Sequence, residues 1–365
     1  MSRRYKTNRN KLHDKLKTLT SVARIVIENK IMGIKRFGCG LLMTLVVSIS
    51  YAEPVNDIDQ KKCMQEQVLN ADPTTTAGEI ENNCKTILAK TGSENTEHSA
   101  AQERHKKEAA TEWNPFVITP YRSNYILPYS YYNAPVDSSD TEHQDLLDNE
   151  EIKLQISLKV PLTTDDLFTE DDGLYFAFTI KAFWQAYNSK ISSPFRETNY
   201  QPELFYSMPL HDLFDDSYST LAMGFEHESN GRSQLLSRSW NRLFLDYSFS
   251  RDNYLISFRP WYRIPEDDKT DPMQASGDDN PDIEKYMGHF ELRGAWKYHN
   301  QEITMMLRNN LRSENYGAIE LNYSFPLWGK LRGLVQYFNG YGESLIDYNH
   351  RVERIGIGFL LTNAI

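Results

Sequence analysis

Apolar and polar residues alternate along the chain from Tyr121 to its end. In the stretch EIKLQISLKVP, aliphatic residues occupy every second position, and lysine, glutamine and serine fill the positions between them. Successive side chains of an extended strand point to opposite faces, whereas the side chains of a helix repeat every 3.6 residues. The alternation therefore predicts that this part of the chain folds as β-sheet with one apolar face.

Such stretches predict about twelve strands, and an even number suits a barrel closed from a single chain. Each stretch is about ten residues or longer, the length that a tilted strand needs to cross a bilayer. Aromatic residues such as Tyr286 and Tyr298 end the apolar rows, where membrane barrels carry aromatic girdles. We predict strands at residues 121–133, 150–161, 173–186, 199–208, 217–229, 238–250, 253–264, 285–298, 301–311, 314–327, 330–341 and 350–361.

The predicted fold is thus all-β, a twelve-stranded antiparallel transmembrane β-barrel preceded by a short N-terminal periplasmic extension. A soluble barrel is the alternative, because alternation by itself does not say which face meets water. The chain has 22 tyrosines, 17 phenylalanines and 6 tryptophans, a content typical of membrane barrels. A net charge of -10 argues against nucleic acid as a partner, because no basic surface would neutralise phosphates.

The first 52 residues are predicted to be a signal peptide. A basic segment precedes the apolar stretch FGCGLLMTLVVSIS, and cleavage is expected after Ala52, with Met32 as an alternative start. A retained membrane anchor is the other interpretation. Export would bring Cys63 and Cys84 into an oxidising compartment, where we expect them to form a disulfide.

Residues 53–112 are predicted to form the extension, helical or partly disordered, and residues 113–365 the barrel. Thr76 and Glu79 have the spacing of a helix capping box within the extension. Long connections at 134–149, 187–198 and 265–284 contrast with tight turns near Asp252 and Asn300. Long loops of outer-membrane barrels face outward, so the link between strands five and six is predicted to lie outside.

That link, GFEHESNGRSQLLSRSWNR at 224–242, carries the candidate catalytic residues. His227 and Ser229 share the apolar, lipid-facing parity of strand five, and Asn241 shares that of strand six. Polar groups facing hydrocarbon are costly unless they are paired. We therefore predict one unit, with Ser229 as nucleophile, His227 as general base and Asn241 orienting the imidazole. Polar residues at headgroup level, without catalysis, are the alternative.

The sequence resembles the outer-membrane phospholipase A family from about residue 114 to the end. The resemblance rests on PYRSNYILPY, SSPFRETNYQPELF, HESNGRSQLLSRSWNRLF, DDNPDIEKYMG and GYGESLIDYN. It implies an outer-membrane barrel, with its catalytic face near the outer leaflet, that hydrolyses acyl esters of membrane phospholipids. It further implies phospholipase A1, A2 and lysophospholipase activity, a requirement for Ca²⁺ and activation by homodimer formation.

The resemblance assigns the catalytic roles to the same three residues, Ser229, His227 and Asn241, and oxyanion stabilisation to the backbone N–H of Gly231. It also assigns the ligands of the catalytic calcium. These are the carbonyl of Arg232, the hydroxyl of Ser237 and the partner subunit's Ser192.

Two departures from the family pattern bear on these expectations. A second calcium site in the family uses two aspartates; Asp279 matches one of them, but Gln234 stands at the other, so this site is doubtful. Ile180 stands where the family has a polar residue that bonds across the dimer, so the dimer contacts are expected to be more apolar.

Two other functions are open from the residues alone. Charged interior residues such as Lys181, Arg259 and Arg293 would line the channel of a porin or passive transporter. A catalytically silent structural barrel is the third possibility.

Overall fold

The computed structural model describes residues 99–111, 119–133, 146–210, 217–271, 273–274, 276–329 and 331–362, together with Cys63, Thr76, 78–80 and 82–84. The predicted signal peptide lies outside the described residues, and so does most of the predicted extension before residue 99. None of the described helices is long and apolar enough to span a membrane.

Twelve long strands form the body of the protein, and their positions follow the predicted alternation closely. The strands are β1 (Tyr125–Tyr132), β2 (Glu150–Pro161), β3 (Gly173–Trp184), β4 (Phe195–Leu210), β5 (Tyr218–Ser229), β6 (Ser239–Arg251), β7 (Tyr254–Ile264), β8 (Phe290–Tyr298), β9 (Gln301–Asn309), β10 (Gly317–Trp328), β11 (Leu331–Gly340) and β12 (Val352–Leu360).

The sheet closes on itself. Each strand pairs antiparallel with its sequence neighbours, and β12 pairs with β1 from Arg354 opposite Tyr132 to Leu360 opposite Tyr125. A two-residue segment, Thr119–Pro120, adds a further antiparallel pairing to β2. The prediction of an all-β, twelve-stranded antiparallel barrel is confirmed.

Charged side chains fill the barrel interior and pair with one another. Lys153 is fully buried, with its Nζ 2.9 Å from Glu343 Oε1. Arg354 lies 2.8 Å from the same Glu343 oxygen and 2.7 Å from Glu151 Oε1. Breaking a buried pair by removing one partner costs about 3–5 kcal/mol, so each network stabilises the fold only when complete. A second interior network contains Arg122, Glu203, Glu226, Arg242 and Arg259.

Apolar side chains cover the outer face of the barrel. This arrangement inverts that of a soluble protein, in which large exposed apolar surfaces are rare, and it suits a surface that contacts lipid. The exposed residues include Ile156, Phe176, Leu204, Met223, Phe225, Leu243, Leu245, Ile256 and Phe258.

The predicted strand at 285–298 is wrong in its first part. Residues Ile283–Met287 form a helical turn, here α2, and β8 begins only at Phe290. Ile283 and Met287 are buried on one face of α2, so the period here is helical and not that of a strand. Tyr286 therefore belongs to an outer loop rather than to an aromatic row of a strand, whereas Tyr298 does end β8.

A helix, α1 (Ala100–Ala109), precedes the barrel. Ser99 caps it by accepting a hydrogen bond from the Gln102 amide at 3.3 Å. In the extension, Thr76 and Glu79 form the reciprocal bonds of a capping box at 2.8 and 3.4 Å. Cys63 and Cys84 are both disulfide-bonded.

Candidate active site

Successive side chains of β5 and β6 point alternately to the outside and the inside of the barrel, as the sequence predicts. In β5, Glu226 and Glu228 are buried, whereas Met223 and Phe225 are exposed on the outer wall with the parity of His227 and Ser229. In β6, Trp240, Arg242 and Phe244 are buried, whereas Leu243 and Leu245 are exposed with the parity of Asn241. All three candidate catalytic residues therefore lie on the outer surface of the barrel.

His227 and Asn241 contact each other directly across the strand pair. They are Cα partners in the β5–β6 register, and His227 Nδ1 lies 2.8 Å from Asn241 Oδ1. An amide oxygen can only accept, so this contact requires the proton of a neutral imidazole on Nδ1 and leaves Nε2 free to act as a base. The Asn241 amide nitrogen donates to Glu266 Oε1 at 3.0 Å.

Ser229 lies at the end of β5, two residues beyond His227 on the same face, and is the Cα partner of Ser239 on one side and Tyr200 on the other. Among the described residues, its hydroxyl forms no hydrogen bond. Catalytic hydrogen bonds are often long before substrate binds, so this geometry is compatible with a nucleophile that a substrate aligns.

The loop after Ser229 turns sharply around Asn230. The Asn230 side chain is buried; its amide nitrogen donates to the Leu236 carbonyl at 2.8 Å, and its oxygen accepts from the backbone amides of Arg232 and Arg238. Gly231 has a φ of 65°, and a Cβ there would lie 3.3 Å from the Tyr200 ring. A non-glycine residue at 231 would therefore be strained as well as crowded.

Ser237 contacts Asp279 from the neighbouring outer loop. Its Oγ donates to Asp279 Oδ2 at 2.6 Å, and the other carboxylate oxygen, Oδ1, forms an ion pair with Lys269. Gln234 opens a short 3-10 helix, Gln234–Leu236, with a φ of 57°. Asp279 is thus already neutralised by an ammonium group and faces no second aspartate at 234, so the residues do not fit a second calcium site.

The residues expected to hold the catalytic calcium do fit a hard cation. Ser237 directs its hydroxyl proton toward Asp279, which leaves the lone pairs of Oγ available to a metal. The Arg232 carbonyl accepts no hydrogen bond from the described residues. Hydroxyl and carbonyl oxygens are ligands that Ca²⁺ prefers.

Ser192 lies in the β3–β4 loop, after a 3-10 helix at Ser189–Ile191, with a φ of 58°. Within the described part of a single chain, no hydrogen bond joins it to the other candidate site residues. The structure therefore brings together His227 with Asn241, and Ser237 with Asp279, but leaves Ser192 apart from both pairs.

The contacts of two residues at the site, Asn230 and Glu266, were not predicted from the sequence. The Asn-Gly pair at 230–231 is a turn signal that could have identified Asn230 as the residue organising the loop. Glu266 gives no such signal, because its contact with Asn241 depends on how an outer loop folds back over the strands.

Comparison with known proteins gives consistent matches. The sequence pattern of the family described as phospholipase A1 matches residues 101–361. Phospholipase A1 of Klebsiella pneumoniae is 37% identical over 254 residues, which cover 68% of this chain and 84% of that protein. Phospholipase A1 of Escherichia coli (strain K12) is 36% identical over 255 residues, which cover 68% and 83%.

Two solved structures are similar to this barrel. The outer membrane phospholipase A from Escherichia coli matches with a TM-score of 0.63 and 34% identity, over 68% of this chain and 100% of that one. The Salmonella typhi outer membrane phospholipase, solved as a dimer with bound calcium, matches with a TM-score of 0.63 and 36% identity, over 69% and 95%.

Proposed function

The chain belongs to the phospholipase A1 family, and on that premise we propose that it is a calcium-dependent phospholipase that cleaves acyl esters at Ser229. The observation that carries this proposal is the 2.8 Å contact between His227 Nδ1 and Asn241 Oδ1 on the outer wall, beside Ser229. A base held in one tautomer next to a hydroxyl is the arrangement that activates a serine nucleophile.

In the first half of the reaction, Ser229 Oγ attacks the ester carbonyl while His227 Nε2 takes the hydroxyl proton. The Asn241 oxygen holds the Nδ1–H and so stabilises the imidazolium that forms. The backbone N–H of Gly231 donates to the oxyanion of the tetrahedral intermediate. His227 then returns its proton to the leaving oxygen, and the lysophospholipid departs from the acyl-enzyme.

In the second half, His227 takes a proton from water as the water attacks the acyl-enzyme, and it then returns that proton to Ser229 Oγ as the fatty acid is released. The same chemistry applies to either acyl position and to a lysophospholipid, so we propose A1, A2 and lysophospholipase activity. The active site opens directly onto lipid because the three residues lie on the outer wall, near the outer leaflet. The barrel itself lies in the bacterial outer membrane.

The Arg232 carbonyl, the Ser237 hydroxyl and the partner subunit's Ser192 would hold the calcium ion. When bound, calcium would supply positive charge to the developing oxyanion. The first two ligands belong to the loop that also carries Gly231, so this loop serves both the metal and the oxyanion.

We propose that a homodimer is the active state. A single outer wall offers little enclosure for an acyl chain, and a second barrel would complete the site. Ile180 has the outward parity of β3 and is the Cα partner of Ile156 and of Tyr200, so the surface beside Ser229 is apolar. A passive channel is not proposed, because Arg259, a residue that would line it, is held in interior ion pairs with Glu203 and Glu226.

The experiment is fatty-acid release from phosphatidylcholine in mixed micelles. Wild type should be active with calcium and lose activity with EDTA, recovering it when calcium is restored. Ser229→Ala should reduce the rate by at least about a thousandfold, as loss of a covalent nucleophile does. Ser313→Ala, in a different outer loop, should keep wild-type activity and serves as the matched control.

Three outcomes would count against the proposal. Hydrolysis that survives Ser229→Ala would remove the assigned nucleophile. Hydrolysis that ignores EDTA would remove the calcium requirement. A folded wild-type barrel that releases no fatty acid at all would indicate the catalytically silent barrel.

A further inference from the structure

Glu266 closes a chain of polar contacts that begins at the catalytic histidine. His227 Nδ1 lies 2.8 Å from Asn241 Oδ1, and Asn241 Nδ2 donates to Glu266 Oε1 at 3.0 Å. Glu266 is partly buried, so this contact is shielded from bulk water on one side. Three side chains from β5, β6 and the loop after β7 are therefore joined in one line.

The end of β7 explains how Glu266 reaches the amide. Ile264, the last residue of β7, is the Cα partner of Asn241. Pro265 follows, and proline has no N–H to continue the ladder of backbone hydrogen bonds. The chain leaves the sheet there, and the next side chain, Glu266, lies against the Asn241 amide.

A carboxylate in this position fixes which way the amide points. If the Asn241 side chain were flipped, its NH₂ would face the donor Nδ1–H of His227 and its oxygen would face the acceptor oxygens of Glu266. The contact with His227 would then require the tautomer protonated on Nε2, which cannot act as the base, and the contact with Glu266 would be repulsive. Glu266 therefore selects the orientation in which the amide oxygen accepts from the histidine.

The charge of Glu266 also acts through the amide. Within the described part of the chain, no lysine, arginine or histidine forms an ion pair with this carboxylate. A hydrogen bond to an ionised group is about twice as strong as a neutral one, and linked hydrogen bonds polarise each other. The anion thus draws positive charge onto the amide NH₂ and leaves the oxygen that faces His227 more negative.

We propose that Glu266 is a positioning residue for catalysis. It fixes the orientation of the Asn241 amide and polarises it, so that the amide oxygen is more negative while the His227 imidazolium forms. This inference rests on the proposed function. A neutral orienting residue such as Asn241 stabilises an imidazolium less than an aspartate would, and the charge of Glu266 would compensate for this difference. Glu266 lies in a loop, so the anion stays outside the lipid-facing strands.

The test compares Glu266→Gln in two backgrounds, with kcat and KM measured separately. In the wild-type background, Glu266→Gln keeps a side-chain oxygen that can accept but removes the charge, so kcat should fall about fivefold with KM unchanged. In the Asn241→Asp background, residue 241 is itself an anion and is repelled by Glu266. There the same Glu266→Gln change should raise kcat, because it removes the repulsion and offers an amide donor.

Asp267→Asn removes a charge from the neighbouring exposed residue and should leave kcat unchanged, and circular dichroism should confirm that every variant is folded. A fall in kcat in both backgrounds, or no effect in either, would overturn the proposal, because a purely structural role does not reverse sign. Ser229→Ala is measured in parallel. Activity that survives that change would refute the proposed function instead, so the two failures are distinguishable.

Discussion

Asparagine side chains hold both halves of the site in position. Asn241 contacts the imidazole of His227, and Asn230 bonds to three backbone groups of the loop that carries Gly231 and Arg232. Asparagine suits both positions because one amide offers a donor and an acceptor and carries no charge to bury. Under the proposed mechanism, catalytic geometry depends on the orientation of these amides as much as on the nucleophile.

Asn230→Ala should weaken calcium binding without unfolding the barrel. The substitution removes three hydrogen bonds that shape the loop, so the half-saturating calcium concentration for fatty-acid release should rise about tenfold or more. Asn315→Ala, in the β9–β10 loop, breaks an exposed pair with Asn309 at 2.9 Å and should leave the calcium titration unchanged. Identical calcium titrations for Asn230→Ala and wild type would contradict this role of the loop.

The positions of the candidate site residues could be predicted from the sequence to different extents. His227, Ser229 and Asn241 could be assigned to one surface because parity on a strand fixes the face of each side chain. Asn230 had a local signal in the Asn-Gly turn. Glu266 could not be predicted, because its position depends on an irregular loop whose path no periodicity encodes.

At the level of elements, the strands were predictable wherever lipid contacts one face. That contact forces apolar residues onto every second position, and the observed strands agree with the predicted ones within a few residues. The exception is α2, where Tyr286, Gly288 and Phe290 alternate by coincidence in a segment that is first helical. Outside the membrane no lipid-facing constraint operates, so alternation there carries less information.

The helix α1 packs against the end of the barrel that carries the short turns. The Ala100 amide donates to the Asp252 carbonyl at 2.9 Å, and Glu108 lies 3.0 Å from Lys159. The rings of His105 and Tyr218 contact each other in a tilted arrangement, with centroids 5.6 Å apart. Burial, and then the charge of Lys159, lowers the pKa of His105. Burial acts to raise the pKa of Glu108, but Lys159 and Arg104 lower it overall.

Acidification should therefore loosen α1. Both groups have a folded-state pKa below the unfolded one, so each contributes stability above its unfolded pKa and loses it as the pH falls through the folded value. Below about pH 6 for His105 and pH 4 for Glu108, hydrogen exchange of the residue 100–109 amides should accelerate relative to amides of β6, after correction for intrinsic rates. Protection of α1 that is constant or rises on acidification would contradict this interpretation.

At the scale of the whole molecule, Ser192 is the residue that a single barrel leaves unused. It lies in the β3–β4 loop, apart from the other candidate site residues of its own chain. If the partner subunit's Ser192 completes each site, a dimer contains two sites that each draw on both chains. Catalysis would then require assembly of the dimer.

Mixing two defective variants should restore activity. The Ser229→Ala variant lacks the nucleophile, and the Ser192→Ala variant lacks the calcium ligand that each chain would contribute to its partner's site. A mixed dimer nevertheless contains one site in which both residues are intact. Random pairing of equal amounts makes half of the dimers mixed, so about a quarter of wild-type sites should be recovered. Activity no greater than the sum of the two variants alone would show that Ser192 does not act across the dimer.

Covalent labelling of Ser229 tests the central claim most directly. An alkylsulfonyl fluoride reacts with an activated serine hydroxyl, and the modified residue can be identified by mass spectrometry of the digested protein. We predict a single adduct on Ser229 in the presence of calcium, with loss of phospholipid hydrolysis in proportion to labelling and no adduct in His227→Ala. Inactivation with the adduct on another residue, or full labelling of Ser229 with hydrolysis intact, would contradict the assignment of Ser229 as the nucleophile.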